Sequence, residues 1–345
     1  RSTAALAFAA ALVCPRGGCE TCQSCLDVAH STHDDVEHVV PEGVTYSVDE
    51  ARELVRRSAM SATRSPWHVF VVEDADRLNE TAANALLKAI EEPPPGTVWI
   101  LCAPSSEDVL PTIGSRCRHL LLATPTSQEV ATALTEKFGV DPAMAAFAAR
   151  AAQGHIGRAR ALATDEQARL RRADILRIPT SLGSLGDCFV VAADLATTAK
   201  DIAAELCDPR DASERANLLA AYGQGGTGKG IGTVERRVKG PLKELETRQK
   251  QRRTRATRDQ LDRPITDLVA FYRDVLVLQL GASSGLVNEE MRPTLERLAA
   301  ESRPEQTLRR TAALERTRGL LEANVPHLLA LEALMVSLKD PSLTP

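Results

Sequence analysis

The chain has 345 residues, enough for two or three domains around separate cores. Apolar residues at 43% and charged residues at 26% fit a globular protein, and the longest apolar run, residues 4–14, is too short to cross a bilayer. With 42 basic against 46 acidic residues and only 3% aromatics, whole-molecule attraction to nucleic acid and stacking platforms for single-stranded bases are both disfavoured.

Arg1-Ser2-Thr3 opens the chain without Met, so it reads as a fragment that lacks its true N-terminus. Residues 4–13 have no polar face and read as a buried helix; no charged stretch precedes them, so they are not read as a signal peptide. Cys14, Cys19, Cys22 and Cys25 then fall within twelve residues, CPRGGCETCQSC. Four thiolates so close together suit one tetrahedral Zn²⁺, and four protein ligands leave no open position, so the role expected is structural. A redox-active CxxC is the alternative. Such thiol-rich sequence in a chain of this size places the protein in a reducing cytoplasm.

Ser47-Val48-Asp49-Glu50 matches a capping box and predicts a helix from about Val48 to Ala59. Trp67 to Val72 is a short apolar run that ends in acids, and reads as a buried strand. Asn79 caps a helix carrying Leu86, Leu87 and Ile90, which Pro93-Pro94-Pro95 stops. Val98 to Cys102 reads as a second strand, and His119-Leu120-Leu121-Leu122 as a third. Strands alternating with helices imply a parallel sheet covered on both faces.

From Pro125 the strand signals cease. Thr126-Ser127-Gln128-Glu129 is a further capping box, Gly139 closes that helix, and Pro142 sits at the first position of the next, giving a small helical unit over residues 126–165. Pro209, Pro264, Pro304 and Pro326 punctuate the helical patterns beyond. Leu268, Phe271, Val275 and Leu278 form one stripe and Leu328, Leu331, Met335 and Leu338 another, so a bundle of five or six helices is expected.

Val69 to Asp76 (VFVVEDAD) has the form of a Walker B segment, a hydrophobic strand that delivers carboxylates where phosphoryl transfer needs Mg²⁺ and an oriented water. Asn84 to Pro95 (NALLKAIEEPPP) and Leu110 to Arg118 (LPTIGSRCR) follow it. With these blocks, the four cysteines and Pro41-Glu42-Gly43, the sequence resembles the bacterial clamp-loader AAA+ family, and within it the delta-prime subunits of DNA polymerase III. The likeness is close over residues 1–122, fair to about 165 and loose beyond.

The resemblance implies an α/β P-loop AAA+ core over residues 1–122, including the zinc loop 14–25. A helical lid over 123–167 and an all-α collar over 168–345 would follow. It implies that Arg116 of the SRC triplet acts as an arginine finger toward a neighbour's ATP. The chain's own nucleotide site would hold Arg1 in place of the P-loop lysine, Ser2 as the Mg²⁺ hydroxyl, Glu73 and Asp74 as Walker B acids, and Arg158 as a lid sensor. Arg1 is a poor lysine substitute, Ala103-Pro104-Ser105 replaces polar sensor residues, and Arg158 stands one residue late. The resemblance therefore implies a stator that lends its finger without turning over ATP. It would help other subunits load a sliding clamp onto primed DNA. The alternatives are an active motor ATPase of the same loader and a zinc-dependent DNA-binding protein.

Three features take no role in this reading. Residues 223–230 (GQGGTGKG) imitate a P-loop but lack its hydroxyl and its strand, and read as a loop between helices. The basic stretch 236–258, which holds Arg236, Lys243, Arg248, Lys250, Arg255 and Arg258, reads as a solvated helix, with a DNA-facing surface as the alternative. His30, His33 and His38 are spare, because four cysteines already satisfy one ion.

Overall fold

The computed structural model describes residues 1–222, 231–323 and 325–343, with 231–237 described as backbone only. Its contacts divide the chain into two units, residues 1–122 with 215–255, and residues 123–214 with 256–345.

The first unit begins with α1 (Ser2–Val13) and α2 (Gln23–Ala29), then β1 (Val36–Val39), α3 (Val48–Ser58), β2 (His68–Val72), α4 (Glu80–Glu91), β3 (Thr97–Leu101) and the single turn α5 (Pro111–Gly114). The three strands form one parallel sheet in the order β1-β2-β3, with Val36 opposite Val69 and His68 opposite Thr97. Every residue of β2 is buried because both its faces are covered. Val69 and Val71 point into a cluster with Ala5, Ala9 and Val28, whereas Phe70 and Val72 join Leu54, Leu86 and Ile113. Two helix layers on one strand explain why the run shows no alternation of polar and apolar residues.

The caps lie where the sequence places them. Ser47 and Glu50 close a capping box on α3, and the Asn79 side chain accepts from the Ala82 amide at the start of α4. β1 has no apolar run to announce it. Its polar residues are paired by charge instead, Glu37 with Arg57 at 2.5 Å and His38 with Glu73.

The expected strand at residues 119–122 is absent. The segment pairs with none of the three strands, and Leu120 and Leu121 are 84% and 90% exposed. A strand needs a neighbour to satisfy its amides and carbonyls. Among the described residues none lies alongside, and His119 turns back to donate from Nε2 to the Gly114 carbonyl at 2.9 Å.

The second unit holds α6 (Ser127–Phe138), α7 (Pro142–Ala152), α8 (Ile156–Thr164) and α9 (Glu166–Ser181). α10 (Leu185–Ala221) and α11 (Ile231–Gln279) are long helices within which the unit boundaries fall; α12 (Arg292–Glu301), α13 (Pro304–Glu322) and α14 (His327–Lys339) complete the bundle. The Thr126–Glu129 capping box, the left-handed Gly139 stop and the Asp141 cap before Pro142 define the first two of these helices. Val130, Leu134, Ala148, Ala159 and Leu162 form a small core there. The larger core gathers Leu268, Phe271 and Val275 with Leu331, Met335 and Leu338.

Two expectations about this region change. Pro209 and Pro264 lie inside α10 and α11 and break neither helix. Proline removes one helical hydrogen bond, and buried neighbours on the same helices, Cys207 beside Pro209 and Ile265 beside Pro264, supply packing that outweighs the loss. Leu328 is 43% exposed, so the stripe on α14 begins at Leu331. No described helix is long and apolar enough to cross a membrane.

Candidate functional site

The four clustered cysteines meet at one point. Their sulfurs all lie within 4.8 Å of one another, with Cys14 Sγ 3.7 Å from Cys19 and 3.6 Å from Cys22. Four sulfurs bound to one Zn²⁺ in a tetrahedron are separated by about 3.8 Å, so this donor set fits the ion. Gly17, Gly18 and Glu20 adopt positive φ, which lets the loop reverse tightly between α1 and α2. The thiols are not equivalent. A backbone hydrogen bond from Cys19 is the main cause that lowers Cys14 to about 7, and Thr21, through its amide and hydroxyl, lowers Cys19 to about 5. Burial pushes Cys25 up to about 12. The cluster could hold a metal ion, whose charge would deprotonate Cys25.

A second group of side chains gathers at the C-terminal end of β2. Glu73 accepts from His38 Nε2 at 2.5 Å. The other ring nitrogen, Nδ1, lies 3.2 Å from the Ser31 hydroxyl. The His38 bond, followed by the Ser2 side chain, holds the Glu73 carboxyl below its ordinary range. Tyr46, fully buried, donates to the Glu73 carbonyl at 2.6 Å.

Asp74 follows in the left-handed conformation, φ 49°. Its Oδ2 accepts from Arg255 Nη2 at 2.6 Å, and Arg77 Nε lies 3.7 Å from the same oxygen. Arg255 also donates to the Pro41 carbonyl. Arg1 stands close enough for its charge to act on Asp76 and Cys102. Arg1, Ser2, Glu73 and Asp74 therefore belong to one neighbourhood. Arg158 belongs to the second unit, where it pairs with Asp267, a buried carboxylate that also takes Arg172 Nε at 3.2 Å.

The Walker-like acids do not fit a nucleotide-bound Mg²⁺. Magnesium takes oxygen ligands at about 2.0–2.1 Å and keeps an octahedral shell of waters. Here a guanidinium stands against the Asp74 oxygen, and an imidazole against Glu73.

Arg116 lies just beyond α5. Its Nε donates to Glu91 Oε2 and its Nη1 to the Thr112 carbonyl, both at 2.9 Å. Glu91 is the last residue of α4. The two signature blocks LLKAIEE and SRC thus touch across the surface, and the guanidinium stays exposed.

Residues 1–126 match the family described as DNA polymerase III, delta subunit. The delta' subunit of DNA polymerase III from Haemophilus influenzae is 39% identical over 140 residues, which are 39% of this chain and 42% of that protein. Over the matched residues this chain resembles the delta-prime subunits of DNA polymerase III. The delta' subunit of Escherichia coli K12 is 36% identical over 152 residues, 43% of this chain and 46% of the relative. The gamma/tau subunit of Mycobacterium tuberculosis H37Rv is 32% identical over 148 residues, 41% of this chain and 26% of the relative. The chain spans less than half the length of each of these relatives.

Two participants had no signal in the sequence that would single them out. His38 is one of three histidines beside the cysteine loop, and only the pairing of β1 with β2 brings it to Glu73. Arg255 is one of many cations on a helix and lies 181 residues from Asp74. The basic stretch is consequently divided. Lys243, Arg248 and Lys250 are exposed, whereas Arg255 is turned to Asp74 and the buried Arg258 donates to the Glu322 carbonyl. The P-loop-like residues 223–230 lie outside the described residues.

Proposed function

We propose that this chain is a delta-prime-type subunit of a cytoplasmic bacterial clamp loader, with residues 1–122 as AAA+ core, 123–167 as lid and 168–345 as collar. It acts as a stator. Its partners are the other loader subunits, and through them the sliding clamp and primed DNA. Arg116 is lent to the ATP of a neighbouring subunit, while the chain's own degenerate site stays idle. Zn²⁺ on Cys14, Cys19, Cys22 and Cys25 is the structural metal.

One observation carries the reading. Arg116, in the SRC block of the segment that resembles delta-prime, presents an exposed guanidinium whose only charged partner among the described residues is the surface residue Glu91. An exposed ion pair contributes little, so a phosphate can take the carboxylate's place at small cost. The forked, permanently charged group suits the charge that develops on a transferring phosphoryl.

The test is ATP turnover by a loader reconstituted with Arg116→Ala. Turnover should fall while the assembly stays intact by gel filtration. Arg116→Lys should not restore it, because a point charge lacks the fork. Unchanged turnover would remove the finger from this account.

A further inference from the structure

The carboxylate that would hold a metal in an active nucleotide site is already neutralised from within the chain. We infer that Arg255 serves as an internal cation, taking the place of a divalent metal at Asp74 and fastening the basic part of α11 to the end of β2. This rests on the reading of Glu73 and Asp74 as Walker-like acids, and it goes further by assigning what occupies them.

The geometry is specific. Arg255 is 14% exposed and uses two separate amines, Nη2 for Asp74 Oδ2 at 2.6 Å and Nη1 for the Pro41 carbonyl. A surface arginine that pairs by chance does not bury its guanidinium or bridge two segments. One helical turn earlier, the Gln251 Cβ lies 3.8 Å from where a Cβ on Gly43 would stand. The helix therefore meets the 41–43 loop at two successive positions on one face. Asp74 is itself held in place, since its left-handed backbone is closed by the Arg77 amide donating to its carbonyl at 2.8 Å. The adjacent carboxylate, Glu73, is engaged by His38. A dication entering this site would have to displace the guanidinium and then remain beside it, against like-charge repulsion. The fork of arginine presents separate donors to the two acceptors, which the single ammonium of a lysine does not.

The experiment uses the full chain loaded with zinc, so that the cysteines are filled, and Mn²⁺ as the probe, read by the loss of its free electron-spin-resonance signal. Mn²⁺ favours the same oxygen ligands as Mg²⁺. Wild type should bind no Mn²⁺ at Asp74, so Asp74→Asn should leave the titration unchanged. Arg255→Met keeps the apolar stem and should strengthen Mn²⁺ binding by about tenfold or more, a gain that the double variant with Asp74→Asn should abolish. Arg255→Lys should still exclude Mn²⁺, because the charge remains. Amide hydrogen exchange over residues 245–255 should quicken in both Arg255→Met and Asp74→Asn. Zinc content and tryptophan fluorescence report whether each variant is folded. If wild type binds Mn²⁺ and Asp74→Asn removes it, the inference is overturned. A folded Arg255→Met that gains nothing overturns it equally. Neither result bears on Arg116 and the loader assay, so the two readings fail separately.

Discussion

Replacing Asp35 with Asn measures how firmly the entrance to β2 is held. Asp35 is 1% exposed, and its carboxylate accepts from the Thr63 amide at 2.6 Å, the Thr63 hydroxyl at 2.9 Å, and the Arg64 and Ser65 amides at 2.7 Å each. Burial alone would raise its pKa, but these four donors outweigh it and hold the group at about 2, against an ordinary 3.8. A folded-state value below the unfolded one means stability that is present above pH 3.8 and lost as pH falls through about 2. The difference corresponds to about 2 kcal/mol at neutral pH. Asn keeps the shape but turns an amine toward donors, so Asp35→Asn should cost about 2–4 kcal/mol at pH 7. The assay is urea unfolding followed by fluorescence, because both tryptophans of the chain, Trp67 and Trp99, lie in the first unit. The gap between wild type and variant should shrink as pH falls, with about half of the linked part gone by pH 3. Comparing the two proteins at each pH cancels the protonation of the cysteines, which both share. A loss of less than about 0.5 kcal/mol, or a gap that does not change with pH, would refute the argument.

Other expectations follow from the same contacts. Arg116→Ala should change the stability of the isolated chain by no more than about 0.5 kcal/mol, since its partner Glu91 is half exposed, while turnover at the neighbouring site of a reconstituted loader falls by about 100-fold or more. Unfolding curves and steady-state ATPase read the two separately. Phe70→Ala removes a fully buried ring stacked on Trp99 with centroids 4.6 Å apart; it should cost about 3–5 kcal/mol in the same urea assay. Cys22→Ser with Cys25→Ser leaves two ligands, so bound zinc should drop from one equivalent toward none by metal analysis. The melting temperature should fall with it. A native protein that carries no zinc would dismiss the metal.

The parts of this protein that its sequence by itself determined are those governed by neighbours a few residues apart. Capping boxes at Ser47 and Thr126, the stop at Gly139 and the cysteine loop are short-range chemistry, and all stand where the residues place them. β2 announced itself because burial on both faces demands an unbroken apolar run. Tertiary structure decided the rest, through partners that the chain alone does not rank. β1 became a strand because β2 lies beside it and Arg57 and Glu73 pair with its charged residues, whereas the more apolar residues 119–122 found no neighbour among the described residues and formed none. Pro209 and Pro264 look like breaks until packing compensates for the missing bond. Asp74 and Arg255 are common residue types 181 positions apart, and only chain folding chose that arginine among its many equivalents. Periodicity and capping are encoded locally, but the choice of partner for a charge depends on which surfaces meet in space.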